Sequence, residues 1–262
     1  MVFAATDLLA ILSGTLVGLV LGVIGGGGSM LAVPLLVYVV GVKSPHVAIG
    51  TSAICVAMSA FVNLCDHARR GHVCWPVALL FAVFGMSGAA IGSTIGKHTE
   101  GEKLLIMFGI AMVVLAARMA VRHDPASGPS PIVDRSNAPR IAGFGFAAGA
   151  LAGFFGIGGG VLVVPGLVAA AAVPMIVAIG SSLVSVTAFG FTTACVYALS
   201  GLVDWRLMSL FVGGSILGGL AGARLAVRLA QRKRALSLTF AAVATFVGIS
   251  LIVRGVLILM QS

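Results

Sequence analysis

The sequence is poor in charged residues. Only 9% of its 262 residues are Asp, Glu, Lys or Arg, 60% are hydrophobic, and the mean hydropathy is +1.17. A soluble domain carries about a quarter charged residues, and so low a proportion cannot keep a folded surface hydrated. This composition excludes a soluble enzyme, a disordered protein and a collagen-like fibre.

Acidic residues and histidines are missing from the middle of every apolar stretch. A protease inside the membrane needs such a side chain beside its nucleophile, a metalloenzyme needs it as a ligand, and proton or Na⁺ carriers use carboxylates at depth. We therefore predict no catalytic residue, no metal site and no cofactor; a cation pathway built from backbone carbonyls is the weaker alternative. The acidic residues and histidines, all in loops or at segment ends, are Asp7, Asp66, Glu100, Glu102, Asp124, Asp134, Asp204, His46, His67, His72, His98 and His123.

Cysteine is also scarce, with four residues and no Cys-x-x-Cys pair. This pattern gives no metal-binding or redox motif. Cys65 and Cys74 flank one predicted loop, so a disulfide between them stays an open alternative.

What the sequence does contain is a series of continuous apolar runs, most of them long enough, at about 17 to 25 residues, to cross the hydrocarbon core as helices. The strands of a membrane β-barrel would alternate apolar and polar residues, which these runs do not. The predicted fold class is therefore all-α, a polytopic integral membrane protein. The ten predicted segments are 8–24, 29–40, 47–64, 73–96, 104–121, 141–157, 161–173, 175–200, 207–228 and 236–260.

The chain contains an internal duplication. The pattern Gly18, Gly22, Gly25, Gly27, Gly28 and Pro34 recurs 131 positions later, Ala48–Ser52 matches Ala178–Ser182 at an offset of 130 with a serine in place of the threonine, and Trp75 corresponds to Trp205. Self-similarity at a fixed offset indicates repeated structural units. We predict two homologous five-segment repeats, residues 1–121 and 141–262, joined by a proline-rich linker at 122–140.

Each repeat contains a glycine cluster followed by an unusually short apolar segment. The clusters are Gly25–Gly28 and Gly158–Gly160, and glycine favours unwinding of a helix. We therefore expect a glycine-broken helix in each repeat, either crossing the membrane or re-entering on the same side.

The distribution of Lys and Arg distinguishes the two topologies. If each broken helix crosses the membrane, the basic residues divide equally between the two sides. If each one turns back, the repeats are inverted and eleven basic residues gather on one side against Lys43, Lys97, Lys103, Arg206 and Arg254 on the other. The positive-inside rule favours the inverted arrangement, with both termini outside.

The polar groups left at depth are backbone amides and hydroxyls, which suit an anion. The half-helices expected to start near Ser29 and Gly160 would direct their positive dipole ends into the membrane, where a helix N-terminus binds anions without a protein charge. Hydroxyls of the next helices would add donors. The predicted substrate-binding residues are Gly25, Gly26, Gly27, Gly28, Ser29, Gly50, Thr51, Ser52, Gly156, Gly158, Gly159, Gly160, Gly180, Ser181 and Ser182.

Structural roles compete with this interpretation. Gly88, Gly92, Gly218 and Gly222 form GxxxG pairs typical of helix packing. The hydroxyls of the motif serines could instead bond back to a carbonyl of their own helix.

The duplicated motifs resemble those of the TauE/SafE family of sulfite exporters and sulfonate permeases. The resemblance rests on residues 18–36 with 48–52, and on residues 149–167 with 178–182. It implies a multi-pass carrier of the bacterial or archaeal inner membrane that moves sulfite, thiosulfate, sulfoacetate or related organosulfonates. By position, the family's glycine-rich motif falls on residues 25–29 and 156–160, and its following hydroxyl motif falls on residues 50–52 and 180–182.

The functional hypothesis is thus a secondary transporter for a small sulfur-containing anion, with a central site between the two glycine breaks. The expected partners are that anion and the lipid bilayer, with no nucleic acid and with a homo-oligomer possible. The N-terminus, residues 1–10, lacks the basic start of a signal peptide and is interpreted as mature protein. The open alternatives are a passive anion channel, a carrier of a non-sulfur organic anion, and a membrane scaffold or sensor subunit.

Overall fold

A computed structural model describes residues 2–24, 26–121, 137–171, 175–228, 242, 245–253 and 255. Helices make up almost all of this part of the chain, and residues 245–253 are also helical. A 3-10 segment, Gly26–Leu31, lies between α1 and α2. The α-helices are α1 (Val2–Ile24), α2 (Ala32–Tyr38), α3 (Pro45–Arg69), α4 (Trp75–His98), α5 (Gly101–Val121), α6 (Ala138–Phe155), α7 (Gly160–Ala171), α8 (Met175–Ala198) and α9 (Trp205–Arg228).

The prediction of a polytopic helical membrane protein is confirmed. Five described helices, α1, α3, α4, α6 and α8, are long and apolar enough to cross a bilayer. The predicted segments match the observed helices closely up to α9. The last segment, 236–260, and the linker at 122–140 lie mostly outside the described residues.

The ends of the helices meet at two opposite faces of the bundle. At one, here called face A, Arg206 forms an ion pair of 2.7 Å with Asp7, and His46 Nε2 lies 2.9 Å from Thr99 O. Lys97 also donates to Ser200 at this end. The opposite end, face B, is defined by the loop between α3 and α4 and by the start of α8.

The chain reverses direction at both glycine breaks. In the first half Gly28 packs back against Val17 of α1, and α2 returns to face A, where Val40 lies in one cleft with Asp7. In the second half Phe154, in the last turn of α6, lies beside Gly96, near face A. Gly166 of α7 then lies against Phe81, which is in the face B half of α4. These contacts support the inverted arrangement of the repeats, which stays a prediction. The side of the membrane that each face occupies also stays a prediction.

The repeats are interlocked through glycines. A Cβ on Gly18 of α1 would collide with the backbone of Ser215 in α9, and one on Gly149 of α6 would collide with the backbone of Gly85 in α4. Small residues let helix backbones approach closely in membranes, where the hydrophobic effect does not drive helices together. Each of these helix pairs therefore combines one helix from each repeat, α1 with α9 and α4 with α6.

Helices α3 and α8 occupy the centre and pack against each other. Helix α3 also packs against the α1–α9 pair, and α8 packs against the α4–α6 pair. Their first halves are almost completely buried, including Ile49, Ser52, Ser181 and Ser182. Proline at the first or second position starts α3, α4 and α6, where its missing N–H costs nothing.

Candidate functional site

The second glycine break places a helix N-terminus at mid-depth. Gly156, Gly158 and Gly159 have φ values of +67°, +62° and +77°, a region that favours glycine, and α7 begins at Gly160. A Cβ on Gly158 would lie 2.7 Å from Val56 Cγ1 of α3. Val56 is eleven residues into α3, which at about 1.5 Å per residue is close to half the thickness of the hydrocarbon core.

The first break has a different geometry. Of its cluster, Gly25 lies outside the described residues, while Gly26, Gly27 and Gly28 form the start of the 3-10 segment with the fully buried Ser29. The apolar helical stretch of this half runs from Gly28 to Tyr38, close to the expected start at Ser29, but its first part is 3-10 and the α-helix that follows from Ala32 has only seven residues.

The equivalent prolines of the two breaks occupy different helical positions. Pro34 falls in the first turn of α2, where it is tolerated, whereas its counterpart Pro165 lies inside α7. The helix starts at the two breaks therefore differ in geometry, since the first begins as a 3-10 segment and the second is α-helical from Gly160; an anion site at either one stays a prediction. The 3-10 segment of the first break lies against α7.

The second serine of each motif bonds to its own helix. Ser52 Oγ donates to Ile49 O at 2.9 Å, and Ser182 Oγ donates to Ile179 O at 2.7 Å. This is the local bonding considered as the alternative, with a spacing of three residues. In this conformation both hydroxyl protons are occupied, although Ser52 also lies 3.4 Å from Gly156 O of the second break.

The first hydroxyl of each motif bonds to the other repeat. Thr51 Oγ1 accepts from the Asp204 N–H at 3.0 Å, and Ser181 Oγ accepts from the Cys74 N–H at 2.9 Å. The two donors are 130 positions apart in the sequence, and so are the two acceptors. The two bonds are therefore equivalent in the two repeats.

Gly50 and Gly180, which precede these hydroxyl residues, lie at the contacts between the same loops and helices. A Cβ on Gly50 would collide with the Leu202 carbonyl, and one on Gly180 would collide with the His72 carbonyl. Gly50 and Gly180 thus allow a loop of one repeat to lie directly on a helix of the other.

Two further polar residues, neither of them among the predicted substrate-binding residues, lie buried in α8. Ser185 and Thr193 of α8 are fully buried, and among the described residues their hydroxyls have no hydrogen-bond partner. A buried polar group without a partner is rare in proteins and requires an explanation. The spacing of Ser181, Ser185 and Thr193 at multiples of four along one helix could have revealed them.

Comparison with known proteins identifies the family. A family model described as "Sulfite exporter TauE/SafE" matches residues 10–251. This chain belongs to the TauE/SafE family.

The TauE/SafE relatives are described as transporters. A probable membrane transporter protein of Xylella fastidiosa is 45% identical over 245 residues, covering 93% of this chain and 94% of the relative. The probable membrane transporter protein YunE of Bacillus subtilis is 25% identical over 264 residues, covering 93% and 96%. A probable membrane transporter protein of Methanocaldococcus jannaschii is 28% identical over 195 residues, covering 70% and 69%. No solved structure matches the chain. The protein is thus a multi-pass membrane transporter of this family.

In this TauE/SafE transporter a cleft opens at face A. It has a volume of about 390 Å³ and lies between the start of α1, the α2–α3 loop and the start of α9. It contains the exposed Lys43, the Asp7–Arg206 ion pair and Asp204, which caps α9 by accepting the N–H groups of Arg206 and Leu207 at 3.0 Å.

Metal and disulfide chemistry have no support in the described part of the chain. No group of three His, Cys, Asp or Glu residues there could hold a metal ion. The four cysteines, all within the described residues, form no disulfide, so the open pairing of Cys65 with Cys74 is not observed.

Proposed function

We propose that this TauE/SafE transporter carries a small sulfur-containing anion across the bacterial cytoplasmic membrane, with sulfite, thiosulfate, sulfoacetate and other organosulfonates as the substrate class. The observation that carries the proposal is the N-terminus of α7, which begins at mid-depth at Gly160, directly after three glycines with positive φ.

The donors at that position are backbone groups. The N–H groups of Leu162 and Val163 both donate to Gly159 O at 2.8 Å, inside the helix. We propose that the N–H groups of Gly160 and Val161 are the donors that face the anion, since the first N–H groups of a helix have no partner within it. The helix dipole adds about 0.3 to 1 kcal/mol of attraction, more where water is excluded.

Hydroxyls complete the proposed site. Ser29 of the first break and Ser185 of α8 are both fully buried, and Phe189, one turn after Ser185, lies against Gly159. A site built from amides and hydroxyls suits a sulfonate or sulfite group, which has several acceptor oxygens. It also avoids placing Arg or Lys at the membrane centre, where a charged side chain costs about 2.5 kcal/mol or more.

The interlocked helix pairs affect how the site would open. Rocking of one whole repeat against the other would have to separate α1 from α9 and α4 from α6, whose backbones are in direct contact. We therefore propose that the α1–α9 pair and the α4–α6 pair are the units that move, each against the central helices α3 and α8.

Flux into proteoliposomes tests the function. The purified protein would be offered sulfite, thiosulfate, sulfoacetate, taurine, sulfate, acetate and chloride, with and without a pH gradient. We expect saturable uptake of a sulfite or sulfonate and little flux of acetate or chloride. Selective flux of acetate would favour a carrier for another organic anion, and non-saturable flux of chloride would favour a channel. Absence of any flux through a folded, inserted protein would contradict the proposal.

A further inference from the structure

The two loops that cross between the repeats form equivalent contacts, one at each face. The loop 200–204 at face A turns at Gly201, with φ +69°, and rests on α3; the loop 70–74 at face B turns at Gly71, with φ +71°, and rests on α8. In both loops the last residue donates its N–H to a buried hydroxyl, that of Thr51 or Ser181.

These hydrogen bonds join the proposed moving units to the centre. Asp204 directly precedes α9, so the bond from Asp204 to Thr51 ties the α1–α9 pair to α3 at face A. Cys74 directly precedes α4, so the bond from Cys74 to Ser181 ties the α4–α6 pair to α8 at face B. Each bond therefore lies where one unit would have to separate from the centre for its face to open.

We infer that Thr51 and Ser181 are a matched pair of latches that hold the two faces closed, and that they act as positioning residues and not as ligands of the substrate. The inference rests on the proposed transport function, since alternating access breaks the two latches in turn. Both bonds are made in this structure, which therefore has both latches closed.

A hydroxyl is well suited to this task. Thr51 and Ser181 are 1% and 0% exposed, so the acceptor side of each bond is buried, while the donors Asp204 and Cys74 lie in partly exposed loops. When the loop moves away, the backbone N–H of Asp204 or Cys74 can donate to water instead, so it loses little free energy. The hydroxyl of Thr51 or Ser181 can donate to a carbonyl of its own helix. The same hydroxyl can thus be satisfied in both states.

The contacts below the two latches differ in chemistry. Below Thr51, α3 is joined to α9 by the bond between Ser59 and Ser215, at 2.6 Å. Below Ser181, Phe189 of α8 fills the space beside Gly85 of α4. Each latch thus lies above a filled interface between its moving unit and the centre.

Side-specific alkylation tests the latches without any substrate. A background with Cys55→Ala, Cys65→Ser and Cys195→Ser leaves Cys74 as the native thiol that reports on face B, and Val203→Cys supplies a reporter at face A. In oriented proteoliposomes, a membrane-impermeant maleimide is added from one side at a time. We expect Ser181→Ala to raise the labelling rate of Cys74 by about 2- to 10-fold, the population change that corresponds to one lost hydrogen bond, and to leave residue 203 unchanged.

Thr51→Val should have the opposite specificity. It should raise labelling at residue 203 and not at Cys74. Thr51→Ser and Ser181→Thr, which keep the hydroxyl, should restore the parent rates. Thr187→Val is the matched control, because the Thr187 hydroxyl donates only within α8, to Leu183 O at 2.7 Å. No change, or an equal change at both faces, would overturn the inference.

A second variant locks one latch. Ser181→Cys places a thiol beside Cys74, and diamide oxidation of the two thiols, which transfers two electrons and two protons to the diamide, would form a disulfide across the latch. We expect flux to stop after oxidation and to return after reduction with dithiothreitol. A disulfide that forms without slowing flux would contradict the latch even though the transport function stands, whereas absence of flux in the parent protein would contradict the transport function alone.

Discussion

The hydroxyl oxygens of Ser59 and Ser215 lie 2.6 Å apart across the interface between α3 and α9. At the equivalent positions, 130 residues away in each direction, the chain has Phe189 and Gly85. There the phenyl ring occupies the space that a Cβ on the glycine would need, and it also stacks on Phe81. The two repeats thus fill the same interface by two different solutions, a hydrogen-bonded serine pair and a large residue facing a small one.

This relationship predicts that the solutions can be exchanged. Ser59→Phe alone should destabilise the protein by about 1 to 3 kcal/mol, because the ring would meet the Ser215 side chain in a filled interface. Adding Ser215→Gly makes room for the ring and should recover at least half of that loss.

Thermal unfolding of the purified protein in detergent, followed by the loss of monodisperse protein, would measure the effect. Ser59→Ala is the control and should cost about 1 kcal/mol, since Ser215 retains its bond to Val212 O. An equally unstable double variant would show that the two interfaces are not interchangeable.

The interlocked helix pairs predict which glycines tolerate a methyl group. Gly88→Ala and Gly218→Ala should each destabilise the protein by about 2 kcal/mol or more, because the new Cβ would collide with the Phe146 carbonyl in one case and the Thr15 carbonyl in the other. Gly213→Ala is the matched control: it lies in the same helix as Gly218 but has open space around its Cβ position.

The measurement is the yield of monodisperse protein and its midpoint of thermal unfolding. The control variant should be unchanged or slightly more stable, since alanine favours a helix by up to about 1 kcal/mol relative to glycine. Equal effects at all three positions would mean that helix propensity, and not close packing, determines the tolerance.

The second glycine break predicts a separation of transport from folding. Gly158→Leu should abolish transport, because the side chain would meet Val56 and requires a φ of +62° that L-residues with bulky side chains avoid. The change should move the start of α7 away from its present position. Gly143→Leu in α6, where nothing lies near the Cβ position, is the control and should transport normally.

Flux and membrane insertion have to be measured on the same preparation. Normal insertion with loss of flux is the expected result for the Gly158 variant. If the protein also fails to insert, the glycine has a packing role instead of a role at the site.

The sequence predicted the features that are encoded locally. Helix lengths follow from continuous apolar runs, and the duplication follows from direct matches such as Trp75 with Trp205, each of which begins a helix and is exposed. The strong glycine signal also located both breaks correctly.

What could not be predicted depends on contacts between distant residues. Thr51 bonds to a residue 153 positions away and Ser181 to one 107 positions away, so nothing in the local pattern separated them from Ser52 and Ser182, which bond locally. The helix starts at the two breaks also differ, with Pro34 in the first turn of its helix and the equivalent Pro165 inside its own. The matched motif does not encode that difference.

The cleft at face A predicts a dependence on ionic strength. Lys43 is exposed there, and the nearby Arg206 is already paired with Asp7. A positive side chain at the mouth of a cleft raises the local concentration of an anion at low salt. Lys43→Gln should therefore raise the KM for an anionic substrate offered at face A by about 2- to 5-fold at 10 mM salt, where the Debye length is roughly 30 Å. The difference should nearly vanish at 0.5 M salt, and the maximal rate should not change.

Lys97→Gln is the control. It removes a charge at the same face but outside the cleft, where Lys97 donates to Ser200, and it should leave the KM unchanged within error. Initial rates of flux against substrate concentration at the two salt levels separate these outcomes. An effect of Lys43→Gln that persists at high salt would mean that the ammonium group binds the substrate directly, and equal effects of the two lysines would mean that only the net charge of the face matters.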